Sequence, residues 1–302
     1  MLKIIYFGTP EFSAEILKKI KENCKDIEIV AVFTRPDKPR DRGEVTPSPV
    51  KLMAEKLGLF VYTPKSLREE ESKNVVINLA ADLLVVTAYG LFLPDEILES
   101  TKFGATNFHP SLLPKYRGAS PVPSAISNGE EVTGVSIIKL VSEMDAGDII
   151  SQKEVEILEN DTGDSLTDRL ANIGAELLVE IINRVSAGDL SQFNNAKPQN
   201  INEITITKKL EKEDGKINWN ESDELIERKI RAYYPWPGTF STLSEIAKRF
   251  GKDLKGKNEG TLVKVIKAHL DKYKKLRLDE VQLEGKNPIS AEEFSRGYLK
   301  DN

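Results

Sequence analysis

With 302 residues, 39% hydrophobic and 30% charged, the chain has the apolar content for ordinary cores and the length for two folding units. Its single cysteine, Cys24, excludes a disulfide framework or a cysteine-based zinc site, and no apolar run approaches membrane-spanning length or a secretory leader, so a soluble cytoplasmic protein is expected. The net charge of −5 is uneven: residues 243–277 carry 11 Lys+Arg against 4 Asp+Glu, a basic stretch that suits either a polyanion partner or a plain solvated surface.

Leu2 to Phe7 is a short apolar run closed by Gly8, the pattern of a buried parallel strand. Pro10 then opens a helix whose apolar residues, Phe12, Ile16, Leu17 and Ile20, recur at helical spacing. This opening resembles a Rossmann-like fold, but no G-x-G-x-x-G is present, which argues against a nicotinamide cofactor. Ile27 to Phe33 reads as the second strand. Residues 34–49 hold four prolines and must form a loop. Val50 to Leu57 reads as a helix, Phe60 to Tyr62 as a strand, Asn74 to Ala81 as a helix and Leu83 to Thr87 as the strongest strand of the chain. The βαβαβ alternation predicts an α/β domain with a mostly parallel sheet.

Residues 103–108 read as a strand that runs into a loop at Ser111, so Asn107 and His109 fall where a strand ends. Side chains two apart on a strand share a face, and in α/β proteins this edge is where ligands bind. Thr133 to Leu140 and Asp148 to Glu156 are further strands around the loop that carries Asp145. A helix is expected from about Asp161 to Val185, and the polar, asparagine-rich run after it reads as a linker. The expected organisation is a first domain over 1–188, a linker over 189–205 and a second domain over 206–302. In the second domain Asp223 to Ala232 reads as a helix, Tyr233 to Gly238 as a rigid turn, and Trp219 and Trp236 as packing residues.

Asn107, His109 and Asp145 form one chemical set. An imidazole passes protons near neutral pH, an amide donates to an oxyanion, and a carboxylate beside a histidine supports the imidazolium. Together they suit attack of an amine on a carbonyl carbon without a covalent nucleophile. A lone histidine at a strand end is more often structural, and Asp145 is one of 48 acidic residues. The longer string containing these residues decides the reading.

That string, Asn107-Phe108-His109 followed by Ser111-Leu112-Leu113-Pro114 and Arg117-Gly118, with MDAGD at Met144 to Asp148, resembles the 10-formyltetrahydrofolate-dependent formyltransferases. Within them the match is nearest the methionyl-tRNA formyltransferases, through Phe7 to Ser13, Thr34 to Asp37, Arg42 to Lys51, Ala88 to Pro94 and Ile230 to Gly238. The resemblance implies catalysis by Asn107, His109 and Asp145, and transfer of the formyl group of 10-formyltetrahydrofolate to methionyl-initiator-tRNA. It also implies folate contacts from Ala88, Tyr89, Gly90 and Leu91 and from Ser111, Leu112, Leu113 and Pro114. It implies a tRNA contact from Arg42 and a small C-terminal β-barrel of OB type. No metal and no membrane partner are expected, and a monomer is. In the family two lysines usually follow the Arg42-Gly43 pair; Glu44-Val45 stand here, so weaker phosphate contacts are expected from this loop. Two rival readings are a formyltransferase acting on a small amine, such as an amino-sugar nucleotide, and a non-catalytic RNA-binding module.

Overall fold

The computed structural model describes residues 1–39, 45–256 and 259–301. It divides into two compact units. One comprises Met1–Gly118, Thr133–Glu156 and Thr167–Ile206; the other comprises Ala119–Val132, Ile157–Leu166 and Thr207–Asn302. Arg40, Arg42 and Glu44 of the basic loop lie outside the described residues.

The first unit is built on a seven-stranded sheet. Its strands are β1 (Leu2–Gly8), β2 (Ile27–Phe33), β3 (Val61–Tyr62), β4 (Leu83–Thr87), β5 (Ala105–His109), β6 (Val132–Lys139) and β7 (Ile149–Glu156). They stand in the order β7-β6-β5-β4-β1-β2-β3. The pairings from β3 to β5 are parallel, and β6 runs antiparallel to β5. All five residues of β4 are buried, as the middle of a parallel sheet covered on both faces requires. The order reverses between β1 and β4, so the crevice beyond their C-terminal ends is the natural ligand position. Thr9 bridges that crevice by donating from its hydroxyl to the Tyr89 carbonyl at 2.8 Å.

Two features fix the strand that carries Asn107 and His109. In register, Asn107 lies beside Val86 on one side and Ile138 on the other, and His109 lies beside Ser136. Between them Phe108 points to the opposite face, as period-two alternation demands. There the helix Gly163–Ser186 meets it at Gly174, where a Cβ would stand 2.2 Å from the Phe108 ring. Gly174→Ala is therefore expected to force the ring or the helix aside and to lower stability by about 1–3 kcal/mol, the usual cost of overpacking. Chemical denaturation measures this; an unchanged midpoint would mean the contact is not tight.

The segment expected to be a linker packs into the first unit. Lys197 and Ile149 exchange backbone hydrogen bonds of 2.9 and 2.8 Å. Thr205 pairs with the loop after β5: its carbonyl receives the Arg117 amide at 2.9 Å, and its hydroxyl receives the Tyr116 amide at 2.7 Å.

The second unit is mainly antiparallel β. Thr239–Thr242, Leu262–Leu270, Leu276–Leu283 and Ile289–Ser290 form a four-stranded sheet, and Lys252–Leu254 pairs with Leu299–Asp301 in a separate ribbon. Its core gathers Ile226 and Ile230 from the helix Asp223–Ala232 with Leu243, Ile246, Val263, Val265, Val281 and Phe294. Ser222 caps that helix by accepting the Leu225 amide at 3.2 Å. Trp219 packs as expected, edge-on to Phe250 and donating to the Ser241 hydroxyl at 2.8 Å. Trp236 does not: it is 57% exposed. Among the described residues no helix is long and apolar enough to cross a membrane.

Candidate active site

The strand end and the loop after β6 meet, and Asn107, His109 and Asp145 come together. His109 Nδ1 stands 3.5 Å from Asp145 Oδ2. Asn107 Nδ2 donates to Asp145 Oδ1 at 3.3 Å, and the Gly118 amide donates to Oδ2 at 2.8 Å. The carboxylate is thus oriented by a side chain from β5 and by the backbone of the loop that follows it.

The imidazole is held from its other side. His109 Nε2 lies 2.9 Å from the Tyr116 carbonyl. A carbonyl only accepts, so Nε2 carries the proton of the neutral ring and Nδ1 keeps its lone pair on the side of Asp145. The ring is only 4% exposed. Burial pushes its pKa below the ordinary value of 6.5; the Asp145 carboxylate and the Tyr116 carbonyl pull it back up, and the Arg117 guanidinium pushes it down. A neutral imidazole at physiological pH, with one nitrogen fixed and the other facing a carboxylate, is an acid–base group.

The turn that presents Asp145 is strained. Asp145 has φ 51°, a left-handed conformation that aspartate tolerates better than most residues. Two residues on, a Cβ at Gly147 would stand 1.7 Å from the Lys139 carbonyl oxygen, so only glycine lets the turn lie against the end of β6.

The other residues expected at the site divide. Ala88 and Gly90 are exposed, with φ 50° and 79°, at the crevice beyond β1 and β4, and Leu91 is half-buried. Tyr89 turns inward and is 1% exposed, so it offers backbone rather than ring. Ser111 and Leu113 are buried, with the Ser111 hydroxyl donating to the Lys115 carbonyl at 2.7 Å. Leu112 and Pro114 are half-buried and are the two of this group with side chains partly open to a ligand. Gln152 and Ser136 hold the loop: Gln152 Nε2 donates to the Leu113 carbonyl at 3.0 Å, and the Ser136 hydroxyl donates to the Ser111 carbonyl at 2.7 Å.

Sequence reasoning missed Gln199. Its Nε2 donates to the carbonyls of Asp145 at 2.7 Å and Gly147 at 2.8 Å, and its Oε1 receives Arg117 Nε at 3.0 Å and Nη2 at 2.8 Å. Nothing local marks a glutamine in a polar segment as part of a site 54 residues away.

Comparison with known proteins identifies the family. A sequence profile described as Formyl transferase matches residues 2–182, and a second, Formyl transferase, C-terminal domain, matches 209–299. The methionyl-tRNA formyltransferase of Staphylococcus epidermidis is 37% identical over 98% of this chain and 96% of its own length. The chain belongs to the methionyl-tRNA formyltransferase family. A further methionyl-tRNA formyltransferase, from Marinobacter nauticus, is 42% identical over 81% of this chain and 77% of its own. Among solved structures, an N-formyltransferase from Helicobacter canadensis with folinic acid and dTDP-3-aminofucose superposes with a TM-score of 0.59. It is 20% identical and covers 87% of this chain and 95% of its own; at that identity it shows the shared fold.

Proposed function

We propose that this protein transfers the formyl group of 10-formyltetrahydrofolate to the amino group of methionyl-initiator-tRNA in the cytoplasm, for translation initiation. The observation that carries the reading is the convergence of Asn107, His109 and Asp145 at one strand end, in a chain that matches this formyltransferase family through both of its units.

The co-substrate supplies an electrophilic formyl carbon. The exposed backbone at Ala88 and Gly90 fits a planar, hydrogen-bonding ring, and Leu91, Leu112 and Pro114 offer apolar contact beside it. Asn107 gives one N–H to Asp145 and has a second for the oxyanion that develops as the amine attacks. His109 Nδ1 takes the proton shed by the attacking amine. Asp145 stabilises the imidazolium so formed, while the Tyr116 carbonyl keeps the ring from turning. The same nitrogen then returns a proton to the departing folate nitrogen, so charge balances over the cycle. Methionyl-tRNA would meet the basic 243–277 stretch of the second unit and the loop containing Arg42. The protein acts as a monomer in this reading.

Incubation with 10-formyltetrahydrofolate and charged initiator tRNA should yield formylmethionine, outcompeting an amino-sugar nucleotide offered together with it. Folded protein that formylates the sugar nucleotide and leaves the tRNA untouched would replace this reading with the small-amine one. Folate binding without turnover on either would leave only a binding protein.

A further inference from the structure

We infer that Gln199 is a positioning residue for catalysis, which holds the turn of Asp145 at its working distance from His109. The inference rests on the formyl-transfer reading of the site. Two separate pieces of backbone bring the reacting groups together. The loop after β5 supplies the Tyr116 carbonyl to His109 and the Gly118 amide to Asp145. The turn after β6 supplies Asp145 itself, in a left-handed conformation.

Gln199 joins these two pieces, and every hydrogen-bonding position of its amide is used. Its two N–H bonds go to the carbonyls of Asp145 and Gly147. Its oxygen takes two donors from Arg117, the residue between Tyr116 and Gly118. The amide orientation is unambiguous, because a guanidinium only donates and carbonyls only accept. Arg117 is itself fixed: it is 7% exposed, reaches Glu143 at 3.3 Å, and its amide donates to the Thr205 carbonyl. The glutamine is therefore a strut between the Arg117 side chain of the loop after β5 and the strained turn of Asp145. It touches neither His109 nor the Asp145 carboxylate; it acts through the backbone of the turn and through the Arg117 side chain. A carboxylate moved by an ångström no longer supports the imidazolium, and misplacement on that scale commonly costs ~10²-fold in rate.

The test uses the full-length protein and four variants: Gln199→Met, Gln199→Glu, Asp145→Asn and the double variant Gln199→Met with Asp145→Asn. Met keeps the volume and removes all four hydrogen bonds. Glu keeps the two acceptances from Arg117 but cannot donate to the turn. Both are expected to lower kcat by ~10-fold or more with KM for folate and tRNA within about twofold, as lost positioning rather than lost binding predicts. In the Asp145→Asn background the Met substitution should cost less than about twofold, because the group it positions no longer works. A Glu variant as fast as the unmodified protein would overturn the inference, leaving Arg117 anchoring as the only role. So would full additivity with Asp145→Asn, since a general loss of folding adds to any other defect. The unmodified protein is the control: if it forms no formylmethionine the formyl-transfer reading itself fails, whereas an active enzyme indifferent to Gln199 removes only this residue.

Discussion

Asp145→Asn is expected to lower kcat/KM by ~10²-fold or more, about 2.7 kcal/mol of lost transition-state stabilisation. The substitution is close to isosteric. Asparagine tolerates the left-handed backbone at this position, and its amide oxygen can still accept the Gly118 amide. The new Nδ2 then faces the Asn107 donor where Oδ1 had accepted it, and the negative charge opposite His109 Nδ1 is lost. The same change has a pH signature. The carboxylate raises an imidazole pKa that burial otherwise depresses, so without it that pKa falls further below 6.5. The acid limb of the activity profile, where Nδ1 becomes protonated and cannot take the amine proton, should move to lower pH while the plateau drops. An Asn variant with a near-normal plateau would remove Asp145 from the mechanism.

His109→Ala is expected to cost as much or more in kcat, ~10²–10³-fold, because in the proposed reaction it deletes the proton-transfer group outright. It also leaves the Tyr116 carbonyl without this donor and opens a hole where a nearly fully buried ring had been, so a thermal melt must accompany the assay. Turnover within threefold of the unmodified enzyme would show that the amine proton leaves by another route. Linkage gives a further check on the unmodified protein. Its buried imidazole has a folded pKa below the unfolded value of about 6.5. Between those two values the unfolded chain binds more protons, so stability from this group falls as pH drops below about 6.5 and is insensitive to pH above it. In the alanine variant that part of the acid sensitivity should vanish.

What could be read from the sequence was whatever local pattern enforces. Ile27–Phe33, Leu83–Thr87 and Asp223–Ala232 stand in the structure with the bounds expected from the sequence. The helix at Glu70–Asn78 starts earlier than the apolar spacing from Asn74 implied, because its first turn is acidic and carries no apolar signal. The strand-end placement of Asn107 and His109 followed from the prolines and glycine after them. What could not be read was anything set by distant partners. Gln199 and Thr205 lie in a polar segment whose composition says linker, yet their partners are 52 to 91 residues away. The inward turn of Ser111 and Leu113 depends on Gln152 and Ser136, and the exposure of Trp236 on tertiary packing, neither of which has a local signature.

The pairing of Thr205 with the loop after β5 also bears on biosynthesis. Asn107, His109 and Asp145 leave the ribosome before Gln199 and Thr205, and the Tyr116 and Arg117 amides have no Thr205 to bond until that residue emerges. A nascent chain that has passed residue 188 but not 199 thus contains all seven strand sequences and the direct bonds among Asn107, His109, Tyr116, Gly118 and Asp145, but lacks the later tethers from Gln199 and Thr205. The last supports of the site are thus among the later residues of its unit to be synthesised.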